Sequence, residues 1–235
     1  MSNEKIERFG DVEIPIEVGG LFDRYRMEPD LDEIAKLPGV EEVAFFRDQE
    51  KSLVSFQDWD LLMPAFYYDL GFCQAVFLAD LAALRGMLPT DALEPLAVWP
   101  GTGLIAFTAF EYRVTDIDAY NEFSIAVLTR RPGSRVPGPI SALVSQVRRT
   151  NWAFVWKLPV TTELACHGGK VGYNYPKYVT DLPWGIEGDT VTAEIRNGDA
   201  MEVRLSGRVL PTRPGGVVLN HAMSFQDGNV LDIPI

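Results

Sequence analysis

The sequence predicts a β-rich α+β fold, in which a largely antiparallel sheet closes into a barrel with a few short helices beside it. Runs of strand-forming residues recur along the chain, and Asn-Gly or Asp-Gly pairs, which are typical of hairpin turns, separate several of them. So many strands must hide their edges, which favours a closed sheet. Because no repeat or linker interrupts the pattern, we expect a single domain over residues 1–235.

Composition and charge limit the classes of function. Hydrophobic residues make up 47% of the 235 residues and charged residues 23%, as in an ordinary globular protein. The formal net charge of -12 argues against a nucleic-acid partner. Residues 1–60 hold 16 acidic and 7 basic side chains, which accounts for 9 of the 12 excess negative charges. We expect this acidic segment to pack on the same domain.

No segment predicts a membrane span or an export signal. The longest apolar runs fall short of the roughly 18–20 residues that cross a bilayer, and the start MSNEKIERFGDVEIP lacks the apolar centre of a signal peptide. We therefore expect a cytoplasmic protein with no membrane partner. Cys73 and Cys166 lie far apart and outside any CxxC spacing, so the sequence predicts neither a disulfide framework nor a zinc site.

The N-terminal quarter predicts strands and one short helix. FGDVEIPIEV (9–18) alternates acidic and apolar residues as a strand does, and VEEVAFFR (40–47) with SLVSFQ (52–57) predicts a hairpin. Between them, DLDEIAKL predicts a helix with Asp30 as its N-cap and Glu33 at the capping-box position.

The middle of the chain continues the pattern of long strands and short helices. FCQAVFLA (72–79) predicts a buried strand, after which Asp80 caps a short helix. Further strands are predicted over 103–114 and 121–129, and a helix over 140–149 follows a loop rich in proline, glycine and arginine.

The C-terminal part contains the clearest turns. After the strand NWAFVWKL, Thr162 is predicted to cap a single helical turn, ELACH, that ends at Gly168-Gly169. VTAEIR and AMEVRLSG flank Asn197-Gly198, and VVLNHAMSF and NVLDIPI flank Asp227-Gly228, so two hairpins are predicted.

Several motifs do not support the chemistry that they superficially suggest. GTGLIA (101–106) fits the dinucleotide pattern GxGxxA, but it opens a strand instead of a helix. CHGG (166–169) resembles an esterase oxyanion loop, yet the chain has no GxSxG nucleophile. Asp116 and Asp118 lack EF-hand spacing, and the two histidines lie far apart, so we predict no metal and no cofactor.

The segment GYNYPKYVTDL (172–182) places Lys177 between Tyr175 and Tyr178. A lysine amine is a poor nucleophile at neutral pH because its ordinary pKa is about 10.4, but burial or a neighbouring cation favours the neutral form. A neutral amine attacks a carbonyl and forms an imine that accepts electrons. Alternatively, the Lys177 stem lies on the two tyrosine rings while its head reaches water.

Three stretches together resemble the acetoacetate decarboxylase-like superfamily. TDIDAYNEFSIAV (115–127) is similar to the strand with the Tyr-x-Glu motif of that family. LPVTTELACHGGKVGYNYPK (158–177) is similar to its helix, glycine and Tyr-Pro-Lys box, and FLADLAALRGMLPTDALEP (77–95) to its strand, helix and Leu-Pro run. The resemblance covers roughly residues 64–182.

This resemblance implies a function and a site. It makes Lys177 the Schiff-base lysine, Glu122 the carboxylate that orients substrate or moves protons, and Tyr120 a hydrogen-bonding partner. We expect Tyr173, Tyr175 and Tyr178 to line the substrate pocket. The implied protein is a homo-oligomeric lyase with a barrel or cone of strands, acting without a cofactor on a small oxo acid by decarboxylation of an acetoacetate-like 3-oxo acid.

Two departures from the family pattern keep other functions open. The decarboxylases of the family carry a second lysine directly after the nucleophile, where this chain has Tyr178, and an arginine that is missing from MPAFYYDLGFCQAVFLA (63–79). Without these cations, the carboxylate of a substrate loses its expected partners. One alternative is an aldolase-dehydratase that uses the same lysine. The other is a non-catalytic binding protein in which Lys177 is a simple cation.

Overall fold

A computed structural model of the chain describes residues 4–9, 11–56, 59–209, 211 and 218–234. Its helices are α1 (Leu31–Ile34), α2 (Ala44–Arg47), α3 (Leu81–Gly86), α4 (Gly138–Arg148) and α5 (Glu163–Tyr173). Its strands are β1 (Glu4–Phe9), β2 (Val12–Glu17), β3 (Ser52–Phe56), β4 (Trp59–Met63), β5 (Tyr67–Asp80), β6 (Thr102–Thr115), β7 (Tyr120–Thr129), β8 (Thr150–Val160), β9 (Lys177–Val179), β10 (Trp184–Glu187), β11 (Thr190–Asn197), β12 (Ala200–Arg208), β13 (Leu219–Gln226) and β14 (Asn229–Pro234).

A mixed sheet of seven strands forms the centre of the fold. Its order is β14-β13-β8-β7-β6-β5, and β9 pairs with β8 beside this path. Most neighbours are antiparallel, but β8 runs parallel to both β13 and β9. The prediction of a β-rich fold with short helices is confirmed. The predicted barrel is not, because no pairing among the described residues joins β14 to β5.

A second sheet, β10-β11-β12, covers part of the central sheet. Between the two lies an apolar cluster to which the central sheet contributes Ala109, Phe123 and Ile125 and the second sheet Ala193, Ile195 and Leu205. Strand β7 is the most buried strand of the central sheet, since seven of its ten positions from Tyr120 to Thr129 are buried and the other three are half-buried. The side chains of β7 are therefore held by packing on both faces.

The acidic N-terminal segment contributes its apolar side chains to a separate cluster. Ile14, Ile16, Phe22 and Tyr25 are almost fully buried in this cluster, where they pack with Leu164 of α5. The acidic residues between them face outward along β2, in which buried and exposed positions alternate. The segment thereby covers helix α5, which precedes the Tyr-Pro-Lys box at residues 175–177.

Local signals predicted several elements correctly. Asp80 caps α3 by accepting a hydrogen bond from Ala83 N at 2.8 Å, and α4 lies close to the predicted range. Both C-terminal hairpins are present, with Gly198 and Gly228 at positive φ, as their turns require. These turns fix the pairing of β11 with β12 and of β13 with β14.

Packing between distant segments overrides the predicted hairpin of residues 40–57. VEEVAFFR does not pair with residues 52–57: it contains α2, and β3 pairs with β4 (residue 57 lies outside the described residues). The cause is Phe46, whose ring packs on those of Phe66 and Tyr68 at 5.2 and 4.8 Å. The capping box at α1 does not form either, because Glu33 pairs with Lys36 instead.

Strand β5 is not buried as predicted. It lies at the edge of the central sheet, and one of its faces leaves Phe72, Val76 and Leu78 between 47% and 70% exposed. The apolar run of residues 72–79 therefore predicts a strand but does not show whether both faces of that strand are covered. No helix in the described part of the chain is long and apolar enough to cross a membrane.

Candidate active site

Three strands bring Lys177 and Glu122 together. Lys177 begins β9 and pairs with Leu158 of β8, while Glu122 on β7 pairs with Val160 of β8. Leu158 and Val160 are two residues apart and share one face of β8, so the lysine and the glutamate lie diagonally across that face. Lys177 Nζ donates to Glu122 Oε2 at 2.7 Å. The side chains are only 8% and 10% exposed, which makes this a buried ion pair.

The end of helix α5 leaves room for the lysine because residue 169 is glycine. A Cβ placed on Gly169 would overlap Cδ and Cε of Lys177 and lie 3.1 Å from its Nζ. The helix therefore runs through both glycines to Tyr173 and does not stop at Gly168-Gly169 as predicted. It ends at Asn174, which adopts the left-handed conformation with φ 49°.

The turn after α5 is anchored to the neighbouring strand β13. Asn174 Nδ2 donates to Phe225 O at 2.6 Å, and Ser224 Oγ donates to Tyr173 O at 2.6 Å. These bonds fix the point at which the chain reverses, and two residues later Pro176 leads into β9. The Tyr-Pro-Lys box thus enters the sheet at a defined position, which sets where the amine of Lys177 lies.

A group of tyrosines surrounds the ion pair. Tyr120 is 5% exposed, and its ring lies 5.6 Å from Lys177 Nζ. Tyr67 and Tyr120 share a hydrogen bond of 3.3 Å between their hydroxyls, and Tyr112 OH donates to Glu122 Oε1 at 3.4 Å. Burial raises the pKa of Tyr112 and of Tyr120 well above the usual value, and the nearby Glu122 charge adds to it. Both phenols therefore stay protonated and can donate hydrogen bonds.

The ion pair opens into a cavity of about 440 Å³. Apolar and aromatic side chains make up most of its wall, as in typical small-molecule sites. The acidic N-terminal segment contributes Phe22 and Tyr25, and the last strand contributes Ile233 and Pro234. Segments from both the N-terminal and the C-terminal part of the chain thus line the cavity that contains Lys177 and Glu122.

Most of the site residues predicted from the sequence line this cavity. Tyr120, Glu122, Tyr173, Tyr175 and Lys177 all do so, and the rings of Tyr173 and Tyr175 are 5.7 Å apart. Tyr178, which was also predicted to line the pocket, is not part of the lining. Side chains alternate along a strand, so Tyr178 points away from Lys177. Its ring is 36% exposed and lies 6.0 Å from Lys157 Nζ.

The sequence did not reveal several other members of the wall. The sequence predicts a strand over residues 103–114, which includes Tyr112. In the structure Tyr112 pairs with Tyr120 across β6 and β7, a contact that the alternation of side chains along the two strands could indicate. His167 was set aside with the CHGG motif, yet it lines the cavity. Phe22 and Tyr25 lie about a hundred residues from the nearest site residue, and no local pattern marks them.

Comparison with known proteins finds a similarity of structure alone. No protein-family model matches the chain, and no curated protein matches it significantly in sequence. An acetoacetate decarboxylase from Legionella pneumophila subsp. pneumophila str. Philadelphia 1 is similar with a TM-score of 0.53 at 14% identity. That match covers 73% of this chain and 65% of the Legionella chain.

A second acetoacetate decarboxylase structure is similar with a TM-score of 0.54 at 15% identity, covering 73% of this chain and 66% of that one. The chain thus spans about two thirds of the length of each of these enzymes. The chain therefore shares the fold of these two acetoacetate decarboxylases, which is the fold that the sequence resemblance implied. The fold alone does not define a reaction, which has to be argued from the site.

Proposed function

We propose that the protein is a lyase that forms a Schiff base between Lys177 and a small oxo acid, and that it decarboxylates an acetoacetate-like 3-oxo acid. The observation that carries the proposal is the contact between Lys177 Nζ and Glu122 Oε2 at 2.7 Å in the cavity of an acetoacetate decarboxylase-like fold. A general base must lie within hydrogen-bond reach of the proton that it removes, and Glu122 meets this condition.

Imine formation begins with transfer of a proton from the Lys177 ammonium to Glu122. The neutral amine attacks the substrate carbonyl carbon, and the resulting carbinolamine loses water to give a protonated imine. The protonated phenols of Tyr112 and Tyr120 supply donors for the oxygen that leaves.

Carbon dioxide is released in the next step. The electrons of the bond between the carboxylate and the α-carbon move into the protonated imine, which becomes an enamine. Glu122, which gave the proton from Lys177 to the hydroxyl that left as water, takes up one proton from solvent and delivers it to the α-carbon of the enamine. Water then hydrolyses the imine, releases the ketone and restores Lys177. Glu122 acts first as a base and then as an acid, and its position beside Nζ suits both tasks.

The test is a comparison of Lys177→Arg with the wild-type protein. Arginine keeps a positive charge but cannot form an imine under these conditions. We expect the variant to lose release of carbon dioxide from acetoacetate while retaining part of its affinity for the acid. Full turnover by Lys177→Arg would overturn the proposal. Absence of turnover in wild type together with unchanged acid binding in the variant would instead identify a binding protein that uses Lys177 as a cation.

A further inference from the structure

The cavity needs a donor for the carboxylate of an oxo acid, and neither member of the ion pair can provide it throughout the reaction. Lys177 is used to form the imine, and the Glu122 carboxylate repels a second negative charge. Among the described residues of the lining, one basic side chain besides Lys177 is present, that of His167.

His167 is one of the residues that line the cavity, and its imidazole has an unused polar atom. Its Nε2 is buried and has no hydrogen-bond partner within the described residues. Buried polar atoms are nearly always paired, and one without a partner costs free energy unless a ligand or water satisfies it. An unpaired nitrogen in a residue of the cavity wall therefore points to a ligand that forms a hydrogen bond with this side chain.

The surroundings of His167 hold the ring in place. His167 lies on α5, two residues before Gly169, whose missing side chain makes room for Lys177. On another side, the Phe22 ring packs edge-on against the imidazole with the ring centroids 5.7 Å apart. Phe22 of the acidic N-terminal segment thus holds the His167 ring in its orientation. His167 lies on the same helix as Gly169, against which Lys177 packs.

We propose that His167 Nε2 donates a hydrogen bond to the carboxylate of the substrate and thereby selects oxo acids over neutral ketones, in the place of the cations that this chain lacks. This inference rests on the proposed function of Lys177. An imidazole can donate from Nε2 either as the cation or as the Nε2–H tautomer. A hydrogen bond to a carboxylate is stronger than one between neutral groups.

The chemistry of the reaction predicts which kinetic constant depends on His167. The substrate carboxylate loses its charge as carbon dioxide departs, so the bond from Nε2 is stronger before the reaction than in the transition state. Removing the bond should therefore raise KM without lowering kcat. A purely structural role of the ring would lower the amount of active protein, and kcat would fall with little change in KM.

The experiment compares His167→Leu and His167→Gln with the wild type. Each protein is incubated with acetoacetate or with its neutral methyl ester, reduced with borohydride, and analysed for the concentration of compound that gives half-maximal labelling of Lys177. For His167→Leu we expect this concentration to rise about tenfold or more for acetoacetate, from the worth of a hydrogen bond to a charged group, and less than about twofold for the ester. His167→Gln, which keeps a donor near Nε2, should recover most of the loss.

The two hypotheses fail in different ways. Equal shifts for the acid and the ester in His167→Leu, or no shift for the acid, would overturn the role of His167 while the labelling of wild type still supports the proposed function. Wild-type protein that is labelled by neither compound would overturn the proposed function, and the role of His167 with it.

Discussion

Among the residues that the structure describes, two pairs of a lysine with a carboxylate are buried, and their surroundings differ. Lys51 Nζ lies 2.6 Å from Asp116 Oδ2, and Lys177 Nζ lies 2.7 Å from Glu122 Oε2. The exposed fractions of the side chains are also similar, 7% and 0% in the first pair and 8% and 10% in the second. Burial and distance therefore do not separate a structural lysine from a reactive one.

The remaining hydrogen bonds do separate them. Asp116 also accepts from Phe66 N at 2.7 Å and from Tyr68 OH at 2.8 Å, and Lys51 also donates to Met27 O at 2.9 Å. This first pair ties the N-terminal segment to strand β5 and leaves little bonding capacity unused. It also explains why Asp116, which was considered as a metal ligand in the sequence, has no capacity for one.

The pair of Lys177 and Glu122 keeps unused hydrogen-bonding capacity on the side that faces the cavity. Within the described residues, Lys177 Nζ has one hydrogen bond, to Glu122, and Glu122 receives a second one of 3.4 Å from Tyr112. The amine can therefore leave its partner without breaking a larger network. A buried lysine becomes available for chemistry when its partner can take its proton and a ligand can reach it.

The largest expected effect is on turnover. Lys177→Met should abolish release of carbon dioxide from a 3-oxo acid, because no amine remains to form the imine. Lys51→Met, which removes the other buried lysine, should retain turnover in the fraction of protein that stays folded. The measurement is the rate per active molecule, with the folded fraction taken from circular dichroism. Equal loss of rate in both variants would contradict the assignment of Lys177 as the reacting lysine and of Lys51 as a structural one.

The second effect is on stability, and here the order of the two variants is reversed. Lys51→Met leaves Asp116 buried without its countercharge, for which we expect a loss of about 3–5 kcal/mol in the free energy of unfolding. Lys177→Met should cost less, because Glu122 faces a cavity where it can take a proton or a water molecule. Urea unfolding of both variants tests this. A larger loss for Lys177→Met would contradict the assignment of Lys51 as the structural lysine.

The third prediction concerns the two glycines of α5, Gly168 and Gly169. Gly169→Ala puts a methyl group into the Lys177 stem and should move Nζ away from Glu122, which we expect to lower kcat by about 100-fold. The matched control is Gly168→Ala, where an added Cβ meets nothing within 4 Å. That variant should stabilise the helix by about 0.5–1 kcal/mol. Similar kcat values for the two variants would show that the position of the lysine stem does not control the rate.

The smallest expected effect is on stability at alkaline pH. It concerns Tyr68, which donates a hydrogen bond to Asp116, and Tyr112, which donates one to Glu122. Burial raises the pKa of Tyr68, with the hydrogen bond to Asp116 as a further cause, and burial together with the Glu122 charge raises that of Tyr112. Phenols of the unfolded chain ionise near pH 10, so above that pH the folded state holds more protons than the unfolded state. Their contribution to stability is complete below pH 10 and is lost as the pH rises further.

Urea unfolding at a series of pH values between 8 and 11 measures this loss. Tyr68→Phe and Tyr112→Phe should each make the fall above pH 10 less steep, since each removes one phenol that ionises only in the unfolded state. An unchanged slope in both variants would show that these phenols ionise in the folded protein as they do in the unfolded chain.

Local chemistry explains which parts of the fold could be predicted. The Asn-Gly and Asp-Gly turns and the caps of α3 and α5 depend on neighbouring residues, and the structure contains all of them. Helix α2 and the uncovered face of β5 depend on contacts with distant segments, which a local pattern does not contain. Helix α5 continues past the predicted end at Gly168-Gly169, and the absence of a side chain at Gly169 makes room for Lys177, a contact that the local sequence does not reveal.

The candidate site shows the same division. Lys177, Glu122 and Tyr120 were found because the resemblance places them in short motifs, and the structure brings them into one cavity. Tyr178 follows Lys177 directly in the sequence but lies outside the cavity lining, since neighbours along a strand face opposite sides. Phe22 reaches the cavity through the fold of the N-terminal segment. The single domain over residues 1–235 and the homo-oligomer stay predictions.

The most direct test of the central claim asks which of the six lysines forms an imine. The protein is incubated with a panel of 2-oxo and 3-oxo acids and reduced with borohydride, and the modified peptide is identified by mass spectrometry. The account predicts an adduct on Lys177 and none on Lys51, with a mass that shows whether carbon dioxide has already left. An adduct on another lysine, or none on folded protein across the whole panel, would contradict it.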